Sequence, residues 1–189
     1  MSLMKKIFIA YIVCFAIGTA ILFSYYLPST DIVKITGSEV KRVDNDGPIS
    51  ADNPADGPTR DVYYIYTINE NKKIMVYRNE DTGWSFPFYF KFNSADIQAQ
   101  AQSANDANQI SRIVHYGWRF NMMNMFKNIV SIKPVDSFEA STFSFYTILK
   151  FAGWFIWLAL ILVQLAIPVM IRRRRERKEL ARPDGSIVE

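Results

Sequence analysis

Polar and apolar positions along the chain fall into three regimes: an unbroken apolar run, a mixed middle, and a second unbroken apolar run. Ile7–Leu27 and Phe151–Ile171 are each 21 residues long without a charged side chain. At a rise of about 1.5 Å per residue such a run reaches about 31 Å, which matches the hydrocarbon thickness of a bilayer. Both runs are predicted to be transmembrane helices. The first reads as an uncleaved signal anchor, because Ile21-Leu22-Phe23 continues the run beyond the one tolerable cleavage site near Gly18-Thr19-Ala20.

Between the runs, apolar positions recur at short period. Asp31–Thr36 and Glu39–Val43 flank Gly37 and predict a bulged or bent pair of strands. Asp61–Ile68 and Lys73–Arg78 predict a hairpin that turns over residues 69–72. Trp84–Phe92 places Phe86, Phe88, Phe90 and Phe92 on one face and Pro87, Tyr89 and Lys91 on the other. That is the pattern of a half-buried strand, with Pro87 at a sheet edge or a strand start. Asn93 or Ser94 caps a helix running to about Ala107, whose thin stripe of Ile97, Ala101 and Ala104 suits the surface of a sheet. Ile110–Trp118 is the next strand, Arg119–Phe126 a short helix with Phe120 and Met123 inward, and Ile129–Val135 the last strand. The expected fold class is α+β: two transmembrane helices flanking a mainly antiparallel sheet with one or two helices, open or closed into a small barrel. The domain boundaries follow: residues 1–6, span 7–27, domain 28–150, span 151–171 and tail 172–189.

Charge orients this arrangement. The chain carries 22 Lys and Arg against 18 Asp and Glu, and the excess lies wholly on the two tails, at Lys5, Lys6 and the run that begins Arg172-Arg173-Arg174-Arg175. Basic tails mark cytoplasmic segments, so both termini are expected in the cytoplasm and the middle domain on the far side of the membrane. Directly after an apolar span, the arginine run reads as a stop-transfer anchor in contact with lipid headgroups rather than a nucleic-acid patch. The lipid bilayer is thus the first expected partner, and no nucleic acid is expected.

Small residues form ridges on both spans, Ala10, Cys14 and Gly18 on the first and Ala152, Ala159 and Ala166 on the second. Small residues allow close helix approach in lipid, so these ridges are expected to pack within one chain or between chains. Neither span contains an ionisable residue, which argues against a pump or channel built from two helices.

Little in the sequence points to catalysis. One Cys and one His exclude an intramolecular disulfide, Cys-based clusters and the commonest metal-ligand sets. No phosphate-binding loop, nucleophile elbow or dinucleotide fingerprint is present, and no metal or cofactor is expected. The acidic loop 45–60 fails the EF-hand test, since aligning Gly47 with the loop glycine puts Arg42 at the first ligand position. The one titratable constellation worth testing joins His115 and Arg119 to Arg78, Glu80 and Asp81. With Ser85 or Ser111 and a carboxylate, His115 has the residue types of a hydrolytic triad. Trp84, Tyr116 and Trp118 are candidate interface aromatics. The leading expectation is a non-catalytic domain that binds another envelope protein or assembles as a homo-oligomer. A membrane-anchored hydrolase using His115 and a ligand sensor are the alternatives.

The blocks RDVYYIY, VYRNEDTGWSFPFYFKFNSADIQAQA and HYGWRFNMMNMF, with the two flanking spans, resemble a bacterial membrane-protein family catalogued as domain of unknown function 1523. The resemblance implies a bacterial inner membrane, and hence a periplasmic middle domain. It brings no reaction, ligand or partner with it.

Overall fold

The computed structural model describes residues 3–44 and 49–180. The chain divides into two compact units, Ser24–Phe151 and the pair of segments on either side of it. The tip of the acidic loop, 45–48, and the chain beyond Leu180 lie outside the described residues.

Within Ser24–Phe151, five strands close into a barrel. Strand β1 (Ser29–Val43) is a single strand of 15 residues where two were expected. Its ladder shifts register between Ile35 and Gly37, so the anticipated bulge is present and turns one long strand around the barrel. The first half of β1 pairs with β4 (Ile110–Tyr116) and the second half with β2 (Arg60–Ile68). The expected hairpin joins β2 to β3 (Ile74–Asn79), and its turn is fixed by Lys72 at φ 57° and by Asn69 Oδ1 accepting the Lys73 amide at 2.8 Å. Strand β5 (Lys127–Pro134) lies antiparallel to β4 and parallel to β3, which it meets at Tyr77–Lys127 and Arg78–Asn128. The resulting order, β1-β2-β3-β5-β4 and back to β1, leaves no free sheet edge. The sheet is mainly antiparallel, as expected, and the short parallel pairing of β3 with β5 makes it mixed.

Helix α2 (Ser94–Asp106) follows β3, and Asp81 caps it by accepting the Ser94 amide at 2.9 Å and its hydroxyl at 2.8 Å. Its Ile97, Ala101 and Ala104 are buried with Val33, Ile35, Ile65, Ile113, Ile129 and Ile132, so the stripe enters the core instead of resting on a surface. Each buried Ile or Val contributes about 1.5–3 kcal/mol of burial, enough for three small apolar positions to dock the helix.

Two elements differ from expectation. Residues 84–92 form no strand: Phe90 sits at φ 49°, a left-handed conformation that ends an extended run. The alternation survives, with Tyr89 and Lys91 turned inward and the phenylalanines facing out. Residues 119–126 contain only a 3-10 turn, Asn121–Met123, which Asn124 ends at φ 50°, and Phe120 and Met123 are exposed.

The other unit holds α1 (Leu3–Tyr26) and α3 (Phe145–Leu180), both long and apolar enough to cross a membrane. Helix α3 runs through Pro168 and includes the arginine run, where Arg172 pairs with Glu176 at 2.7 Å. The two helices meet where the Trp157 indole donates to Thr19 Oγ1 at 2.9 Å and Phe23 packs on Trp154. Ala10, Cys14, Gly18, Ala152, Ala159 and Ala166 are all exposed, and a side chain at Gly18 would meet nothing within 4 Å. Within one chain the small-residue ridges therefore do not make this contact. A half-buried indole N–H needs an acceptor, and Thr19 supplies it on another face.

Candidate functional site

Four strands bring a partly buried polar cluster together inside the barrel. Asp31 on β1 accepts hydrogen bonds at one carboxylate oxygen from Tyr77 Oη at 2.6 Å, His115 Nε2 at 2.9 Å and Lys127 Nζ at 2.9 Å. Each partner lies in phase with core residues on its own strand: Asp31 with Val33 and Ile35, His115 with Ile113, Lys127 with Ile129. Burial opposes ionisation of Asp31, but the bonds from His115, Tyr77 and Lys127 hold its carboxyl well below the usual range. Burial and the Lys127 charge push the His115 imidazole below its ordinary value, against the pull of Asp31. Burial and then the Asp31 charge push the Tyr77 phenol up. The His115 tautomer that carries its proton on Nε2 is the one that can donate to Asp31. The cluster ties strands together, and none of its groups is a serine or cysteine nucleophile.

The predicted cluster of Arg78, Glu80, Asp81, His115 and Arg119 is dispersed. Glu80 pairs with Arg78 at 2.9 Å and more loosely with Arg60, Asp81 caps α2, and His115 belongs to Asp31. Arg119 donates to the Met125 carbonyl at 2.8 Å and lies 4.0 Å from the Phe126 ring centroid. Among the described residues, His115 makes no hydrogen bond to Glu80, Asp81 or a serine, and no group of three or more His, Cys, Asp or Glu is placed to hold a metal. Of the three candidate aromatics, Trp84 and Trp118 are exposed, while Tyr116 is half-buried against Tyr89 and accepts from Asn128.

A groove of about 260 Å³ opens on the outer barrel face, lined by Lys41, Tyr64, Tyr66, Val76, Arg119, Asn124 and Phe126. Tyr64 and Tyr66 flank the buried Ile65, so strand alternation points both outward. Phe126 stands edge-on to Tyr64 at 5.1 Å, and Lys41 lies 5.9 Å from the Tyr64 ring centroid. Tyr66 donates to Glu39, which pushes the phenol up to about 12 and lowers the carboxyl. Ring faces with two cations and an amide at the edge are binding chemistry. Sequence reasoning placed Tyr64 and Tyr66 on a hairpin strand and missed the groove, because no local pattern brings the 117–126 loop beside them.

A five-stranded barrel carried between two helices long and apolar enough to cross a membrane is the class these features define. The chain belongs to the family described as "Protein of unknown function (DUF1523)", whose model matches residues 4–175. An "Uncharacterized protein" of Haemophilus influenzae is 57% identical over 114 residues, an alignment covering 60% of this chain and 66% of that relative, just under two thirds of its length. No solved structure matches the chain.

Proposed function

We propose that the chain is a two-pass protein of the bacterial inner membrane, with both termini cytoplasmic, and that its periplasmic barrel binds another envelope protein without catalysis. The observation that carries the binding role is the groove at Tyr64, Tyr66, Phe126, Lys41 and Arg119. Aromatic and arginine side chains supply most of the energy at protein interfaces, and here they converge on one concave patch. The orientation rests on the charge of the tails: Lys5, Lys6 and the Arg172–Arg175 run stay with the cytoplasmic headgroups. The hydrolase reading loses support, because the polar atoms it needs are engaged in three separate places.

A photo-reactive amino acid in place of Tyr66, introduced in living cells, tests the binding role. The expected result is one dominant protein adduct, absent at a Glu70 control position and lost on adding Arg119→Glu. No adduct at position 66, or the same adducts at both positions, overturns it.

A further inference from the structure

The loop between β3 and α2 turns an aromatic face outward. Trp84, Phe86, Phe88, Phe90 and Phe92 are between 53% and 78% exposed, and they touch one another in a chain of ring contacts with centroids 5.3–6.2 Å apart. Tyr89 and Lys91, between them, point the other way. Tyr89 stacks on Tyr116, and Lys91, only 4% exposed, directs its ammonium to Asn79 Oδ1 and to the Glu80 and Ile129 carbonyls. From Thr82 to Asn93, Lys91 is the only charged side chain, so the outer face carries no charge. Five large rings with no ionic group among them exceed the scattered exposed apolar residues of a water-facing loop.

The neighbours of this face indicate what covers it. Tyr25 and Tyr26 are the last two residues of α1. The Tyr26 ring meets Phe86 at 4.4 Å, and its carbonyl accepts the Tyr89 hydroxyl at 2.6 Å. Tyr25 meets Trp118 at 5.4 Å, and its carbonyl accepts the Gly117 amide at 2.8 Å. The aromatic face is thus fixed, ring against ring, to the residues at which an apolar helix of bilayer length ends. Trp and Tyr concentrate at that depth in membrane proteins, and here Trp84, Tyr25, Tyr26 and Trp118 stand among the phenylalanines.

We propose that the 84–92 loop is a membrane-docking surface, whose rings insert among the headgroups and upper acyl chains of the bilayer around α1. The loop anchors the barrel to the lipid at a third place, beyond its two helical connections. The inference rests on the reading that α1 crosses the membrane. Lys91 and Tyr89 are the inward clasps that hold the loop in its outward-facing form.

The test uses the full chain, reconstituted into phosphatidylethanolamine–phosphatidylglycerol vesicles, with a nitroxide spin label on Phe88→Cys in a Cys14→Ser background. Phe90→Cys serves as a second site, Glu70→Cys as the barrel control and Val13→Cys as the reporter for α1. Collisions with oxygen, which partitions into lipid, are compared with collisions with a water-soluble nickel chelate. The expected result is oxygen in excess at 88, 90 and 13, and the chelate in excess at 70. Chelate excess at 88 and 90 with oxygen excess at 13 overturns the docking surface and leaves the spanning helix in place. Chelate excess at 13 overturns the spanning reading itself. Shielding of 88 and 90 from both reagents assigns the face to a protein partner and overturns lipid as its occupant.

Discussion

Replacing Asp31 with alanine removes the one carboxylate that ties β1, β3, β4 and β5 together inside the barrel. Three hydrogen bonds to its Oδ2 are lost, from Tyr77, His115 and Lys127. Removing one partner of a buried ion pair costs about 3–5 kcal/mol, because the other charge is left without compensation. The side chains of Asp31 and Lys127 retain 31% and 21% exposure, so water partly replaces the lost partner. That places the loss at the lower end, about 3 kcal/mol. For a domain of this size the midpoint falls by roughly 10 °C. Thermal melting of the full chain in detergent micelles, followed by near-ultraviolet circular dichroism, reads this directly. The pH dependence has a defined sign. His115 has a folded pKa below the ordinary 6.5, so stability is level above that pH and declines below it as the unfolded chain takes up the proton. Asp31 is held below the ordinary 3.8, so its contribution is present above 3.8 and is lost as pH falls toward the folded value. In the Asp31→Ala variant that second decline disappears. Adding Lys127→Met should recover part of the loss, because it removes the stranded ammonium. A loss under about 1 kcal/mol, the size expected of a surface ion pair, or a further loss in the double variant, would refute the reasoning.

Burial pushes the Lys91 ammonium down to about 8, against the Asp81 and Glu80 charges. Between pH 8 and 10 the unfolded chain then holds a proton that the folded chain lacks. Stability rises over that window by about 2–3 kcal/mol, and urea unfolding should show the rise flattened in Lys91→Met. Thr19→Val removes the acceptor of the Trp157 indole, and a double-mutant cycle with Trp157→Phe in mixed micelles should give a coupling of about 0.6–1.7 kcal/mol.

The helices were legible because an uncharged run of bilayer length needs only composition to be seen. The strands were legible by alternation, and β1 was divided in two because a bulge reads locally like a break. Alternation is silent about which side faces inward. At Phe86–Phe92 the lysine and tyrosine clasp the barrel, and the phenylalanines face out. Barrel closure depends on β3 meeting β5 over two residue pairs, across an intervening helix and strand. No local pattern encodes it. The Asp31 cluster joins residues 84 and 96 positions apart. Its signal was nonetheless present: charged and imidazole side chains standing in phase with the buried face of their strands, where solvated charges do not belong. The hydrolase alternative needed His115 beside Glu80 or Asp81, and nothing local in the sequence could show that Asp31, 84 positions away, meets the ring instead.

Compartment-specific labelling tests the two-pass arrangement most directly. Glu70→Cys and Lys178→Cys, each in a Cys14→Ser background, are treated with a membrane-impermeant maleimide in intact spheroplasts and again after lysis. The account requires position 70 to label in intact spheroplasts and position 178 to label only after lysis. Labelling of 178 in intact spheroplasts, or of 70 only after lysis, contradicts it.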